Sequence, residues 1–191
     1  MEPSSNNTNR RHLIFLGAIV TLLVVLVGGI VFQEMILRSG QTTILETRPI
    51  DPRDLFRGEY VILRYAIEDD ELVQEVASEA SKGESVYIVL KEDTRGIAHV
   101  SGASTARPND TSQPWLRGTI GERGFVRFPS LEQAYVPEGA GLPVESMGSD
   151  LHVEVALKNG TARVVRLLDA DLQPIDLGAV AREGQLPESN E

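Results

Sequence analysis

Twenty consecutive residues, Leu13 to Phe32, contain no charged side chain and one threonine. A helix rises about 1.5 Å per residue, so a run of that length matches the hydrocarbon core of a bilayer. A cleaved signal peptide would carry a shorter apolar region ending in small residues. This run ends instead in Phe32, Gln33 and Glu34. The sequence therefore predicts an uncleaved transmembrane helix over residues 13–32, extending to about residue 38, with lipid contact along it. Arg10, Arg11 and His12 flank the run on its N-terminal side only, while Glu34 and Arg38 follow it with mixed sign. By the positive-inside rule the N-terminus is cytoplasmic and residues 39–191 lie outside. The expected setting is a bacterial inner membrane, with a periplasmic or extracellular domain on a single-pass anchor.

Charge and residue usage narrow the function classes. The 191-residue chain has a net charge of −10, and the part after residue 38 carries 15 basic and 26 acidic side chains. A surface of that sign repels phosphate backbones and anionic lipid headgroups, so nucleic acid is not an expected partner. With no cysteine there is no disulfide, thiolate nucleophile or thiolate metal site. The three histidines, His12, His99 and His152, have no H-x-x-x-H spacing, so no metal site is expected. Without a phosphate-binding loop, a dinucleotide fingerprint or a G-x-S-x-G elbow, no cofactor is expected either.

Along the chain, residues 1–12 read as a disordered cytoplasmic segment, residues 39–180 as one domain, and residues 181–191 as a flexible tail. Thr42 to Glu46 is the first predicted strand. In Tyr60 to Ile67, Val61, Leu63, Tyr65 and Ile67 share one apolar face of a second. Asp69, Asp70 and Glu71 open a short helix that closes at Lys82 and Gly83. Val86 to Leu90 is continuously apolar and reads as a strand buried on both faces. A weaker strand is expected within 95–103, an exposed loop from Ser101 to Pro114, and a hairpin around Gly121 to Gly124. Leu131 to Gly148, broken by Pro137, Gly139, Gly141 and Pro143, reads as irregular. Leu151, Val153, Val155 and Leu157 then alternate before Asn159-Gly160, the dipeptide of a type I′ turn, with Arg166 as the one misfit on the returning strand. The fold class is mainly β or α+β, with a single short helix and a mixed or antiparallel sheet partly curled on itself.

The candidate site begins between Pro49 and Tyr65. Asp51, Arg53, Asp54, Arg57 and Glu59 crowd into nine residues behind a proline corner, and Gly58 leads into the strand. Gly58, Glu59, Tyr60, Leu63 and Tyr65 read G-E-Y-x-x-L-x-Y, which resembles the signature of the GDYXXLXY family, with Glu59 where the signature has Asp. Pro49 to Arg57 resembles that family's P-x-D-P-R-D-L-x-R lead-in, and Leu131 to Gly139, followed by Glu145, resembles its later stretch. The resemblance implies a small membrane-anchored protein, of a kind found beside or fused to multi-pass membrane proteins, whose domain has no assigned activity.

Glu132, Tyr135, Glu138 and Glu145 complete the candidate set. The two motifs are expected to converge, with an ion pair from Arg53 or Arg57 to Glu132, Glu138 or Glu145. The leading reading is a module that binds a membrane or envelope partner, with no catalytic residue assigned. The alternative is an envelope hydrolase of glycosidase type using carboxylates and tyrosines of the two motifs. A signal-peptidase-like protease ranks third, because Ser39 lacks the context such an enzyme needs.

Overall fold

The computed structural model describes residues 5–48, 60–109 and 112–184. Helix α1 spans Ser5–Ser39, and within it His12–Val31 is long and apolar enough to cross a membrane. It begins well before the predicted span, inside the segment read as disordered. Helix growth is cooperative once nucleated, so the strongly helical apolar run carries its polar neighbours with it. Only Gly40 separates α1 from strand β1, Gln41–Glu46.

Strands β2 (Tyr60–Ile62), β3 (Ser85–Glu92), β4 (Ala98–Ser104) and β5 (Trp115–Ile120) follow in order. After them come β6 (Val126–Arg127), β7 (Gln133–Tyr135), β8 (His152–Lys158) and β9 (Thr161–Leu168). They form three antiparallel sheets, in the orders β1-β8-β9, β2-β7 and β4-β3-β5-β6. Among the described residues no sheet closes into a barrel. Single bridges, Ile44 to Ile97 and Leu116 to Gly160, tie the three-stranded sheet to the four-stranded one.

The β8–β9 hairpin turns at Asn159 (φ 51°) and Gly160 (φ 76°), the two left-handed residues a type I′ turn requires. Glycine is needed at 160 for space as well, since a Cβ there would come within 1.9 Å of the Trp115 ring. A bulge explains the misfit Arg166. The register slips between Glu154 and Val155, so that Glu154 faces Arg166 and Val155 faces Val164. Val165 is the extra residue, and the phase of the strand reverses after it. Arg166 thereby points out to Glu154, at 2.5 Å, while Leu167 returns to the core.

Four readings of the sequence are corrected here. The second strand stops at Ile62, and Ala66–Asp69 is a 3-10 turn, although Val61, Leu63, Tyr65 and Ile67 are all buried. Strand β3 alternates instead of being buried on both faces, with Val86, Ile88 and Leu90 in the core and Tyr87 and Val89 half-covered. The stretch read as irregular contains β7 and helix α3, Gly141–Ser146. Pro143 breaks nothing there, because first-turn residues have no helical partner for their N–H groups. Among the described residues the single expected helix becomes three short ones. They are α2 (Glu71–Glu79), where the Asp70 carboxylate accepts from the Leu72 N–H, then α3, and then α4 (Leu177–Gly184). Helix α4 enters the segment read as a tail and buries Ala181 against the core.

Candidate functional site

The described part of the first motif is held in place from inside. Strand β2 pairs with β7 in the register Tyr60–Tyr135, Val61–Ala134 and Ile62–Gln133. The pairing continues as the Leu63 N–H donates to the Glu132 carbonyl at 2.8 Å. Tyr65 is fully buried, and its hydroxyl donates to the Leu131 carbonyl at 2.9 Å while its ring meets Phe128 edge-on at 6.4 Å. Burial raises the Tyr65 hydroxyl well above the ordinary tyrosine range, so it serves as a neutral donor. The two motifs therefore meet along their described backbone. Leu63 and Tyr65 are its internal fasteners.

Below the motif strand lies a charged cluster that the sequence reading did not single out. Glu68 is almost fully buried, and one carboxylate oxygen accepts from the Tyr65 N–H at 3.2 Å. The other lies 3.2 Å from Arg64 Nη1 and 3.7 Å from Arg48 Nη2. Arg48 also pairs with Asp69. Burial pushes the Glu68 pKa up, and the Tyr65 N–H, Arg64 and Arg48 only partly offset it. Arg48 and Arg64 flank the 49–59 segment, and their backbones meet where the Arg48 N–H donates to the Arg64 carbonyl at 3.0 Å. A single carboxylate thus ties Arg48 to Arg64. The signal was present in the sequence as a basic and an acidic residue four apart, Arg64 and Glu68.

At the surface, Tyr60 and Tyr135 form an edge-to-face pair with ring centres 6.4 Å apart, and Tyr135 is 80% exposed. Glu132 is held by Arg127 in a two-bond pair, Nε at 2.7 Å and Nη2 at 2.5 Å. That carboxylate raises the Arg127 pKa and is its main cause. Glu138 is exposed between β7 and α3, and Glu145 sits half-buried on α3, which packs against β2 and α4. Asp51, Arg53, Asp54, Arg57, Gly58 and Glu59, and with them the expected ion pair from Arg53 or Arg57, lie outside the described residues. Among the described residues no group of three His, Cys, Asp or Glu side chains is placed to hold a metal ion.

The site also has a position within the domain. Strand β1 begins next to the end of α1, and the bridge from Thr47 to Tyr65 lies at its other end. The Thr47 hydroxyl fixes that corner by donating to the Leu151 carbonyl at 2.6 Å. The motif strand therefore sits at the end of β1 away from the helix.

Neither the curated proteins nor the solved structures include a match to this chain. A family model described as GDYXXLXY protein matches residues 22–167, well over half of the sequence. That span takes in the last part of α1, the motif strand, the β7 segment that pairs with it and nearly all of the closing hairpin. The chain belongs to the GDYXXLXY family.

Proposed function

We propose that this chain is a single-pass, N-in protein of a bacterial inner membrane whose outer domain binds a membrane or envelope partner and has no catalytic role. The observation that carries the reading is the Tyr60–Tyr135 pair, with Tyr135 80% exposed on a strand whose neighbours are locked into the core. Exposed tyrosine on a rigid support costs little side-chain entropy when it is covered, and tyrosine is enriched at protein interfaces. The hydrolase alternative needs two carboxylates facing one another across a cleft. Glu132, one of its candidates, is instead fully engaged by Arg127, as a structural acceptor would be.

A photo-reactive phenylalanine placed at 135 in cells tests the reading. The expected result is one discrete crosslinked species from position 135 and none from Glu79, an exposed helix position. Equal yields at the two positions would overturn it. Hydrolysis of cell-wall glycan by the purified chain, lost in Glu132→Gln, would establish the alternative.

A further inference from the structure

The acidic balance of the domain is not spread evenly. Glu46, Asp150 and Asp169 lie at or beside the far ends of β1, β8 and β9, and Asp70 lies beyond them near Thr47, where Arg48 and Arg64 are taken up by Asp69 and Glu68. At the opposite end, where α1 enters, the register collects cations. Arg163 faces Ala156, which faces Thr42, two strands from the helix end. Lys158, which has an interaction of its own, borders the Asn159–Gly160 turn. The Arg117 N–H donates to the Gly160 carbonyl at 2.9 Å, and its side chain is exposed. Arg107 lies 5.3 Å over the Trp115 ring, which itself covers Gly160. Lys91 lines an open cavity of about 370 Å³ together with Gln41 and Pro114, and Glu92 is the one acid among the described residues that line it.

From this arrangement we propose that the helix-proximal end of the domain docks on anionic phospholipid headgroups of the bilayer that α1 spans. The inference rests on the membrane reading above. Eight residues of α1 follow Val31, about 12 Å of helix, against a headgroup layer about 5–8 Å thick on each side. The basic end thus sits within about one Debye length, 8–10 Å at physiological salt, of the lipid phosphates. Its sign is opposite to theirs, and the acids at the far end are repelled from the same surface, so the two effects hold one orientation. Net charge alone predicts repulsion from such headgroups; the placement of the charges reverses that expectation locally.

The chain carries its own reporter, because Trp115 is its only tryptophan and lies within the basic end. The full-length protein is placed in nanodiscs of phosphatidylcholine, or of phosphatidylcholine with phosphatidylglycerol, each containing a dansyl-headgroup lipid. Energy transfer from Trp115 is expected to rise in the anionic discs and to return to the neutral-disc value at high salt. In the double variant Lys91→Glu with Arg117→Glu the rise should vanish, whereas Lys82→Glu, near the start of β3, should keep it. Arg107 stays unchanged so that the surroundings of the indole do not alter. Equal transfer in the two lipids, or a rise indifferent to salt, would overturn the proposal whether or not the double variant folds. Failure of the chain to enter discs at all would remove the membrane reading and this inference together.

Discussion

The β8–β9 hairpin and the β2–β7 pair are both antiparallel, but they are held by different means. The first closes through two residues, Asn159 and Gly160, whose left-handed backbone sets the register. The second joins Tyr60–Ile62 to Gln133–Tyr135 across some seventy residues. By loop-closure entropy alone the longer connection costs about 3 kcal/mol more, and no turn residue can specify it. Its register is set by what its neighbours bury, namely Leu63, Tyr65 and Leu131, together with the Tyr65 hydroxyl bond. A local pair is written in its turn; a distant pair is written in its core contacts.

Gly160→Ala should give the largest effect that separates the two. The added methyl meets the Trp115 ring, and the φ of 76° strains any L side chain. A loss of about 2–4 kcal/mol is expected from denaturant unfolding of the detergent-solubilised chain. A loss under half of the lower value would show that the turn does not fix this hairpin. Tyr65→Phe probes the other pair. It leaves the buried Leu131 carbonyl without its donor and should cost about 1–3 kcal/mol, with the ring packing on Phe128 retained. An unchanged unfolding midpoint would mean that the β2–β7 register depends on apolar contact alone.

The smallest effect concerns the Glu68 carboxylate between Arg48 and Arg64, and it depends on pH. The folded-state pKa of Glu68 is raised above its ordinary 4.5, so between 4.5 and the raised value the folded chain binds more proton than the unfolded one. Wild-type stability should therefore fall relative to Glu68→Gln as the pH climbs from about 4.5 through the raised value. Parallel stability curves for the two proteins across that window would show that the Arg48 and Arg64 charges fully offset the burial.

The same contrast explains what could be read beforehand. The Asn-Gly turn, the Asp70 cap and the alternation around Val153 are local patterns, and each predicts its element. Leu63 and Tyr65 were legible as core because strand periodicity places them on one face. Strand β7 was not legible, because three residues are too few to show a periodicity, and their partner lies far off in the sequence. Helix α3 was hidden by Pro143, which is harmless only at the start of a helix. The bulge at Val165 could be felt only as the misplaced Arg166. For the candidate site, the pairing of Tyr60 with Tyr135 fell inside the two motifs, whereas the Glu68 clamp lay just beyond the first and was missed.

Gly40 is the lone residue between α1 and β1, so the helix and the domain are joined by a single short link. Eight helical residues beyond the apolar span and six strand residues act in series as a spacer of up to about 30 Å. If α1 spans a bilayer as proposed, the tyrosine pair stands at a set height above the lipid, and the proposed partner needs mass at that height to reach it. On that reading, a tilt of α1 swings β1 with it and moves the pair sideways by a comparable lever arm, so the orientation of one helix would set where the proposed partner meets the domain.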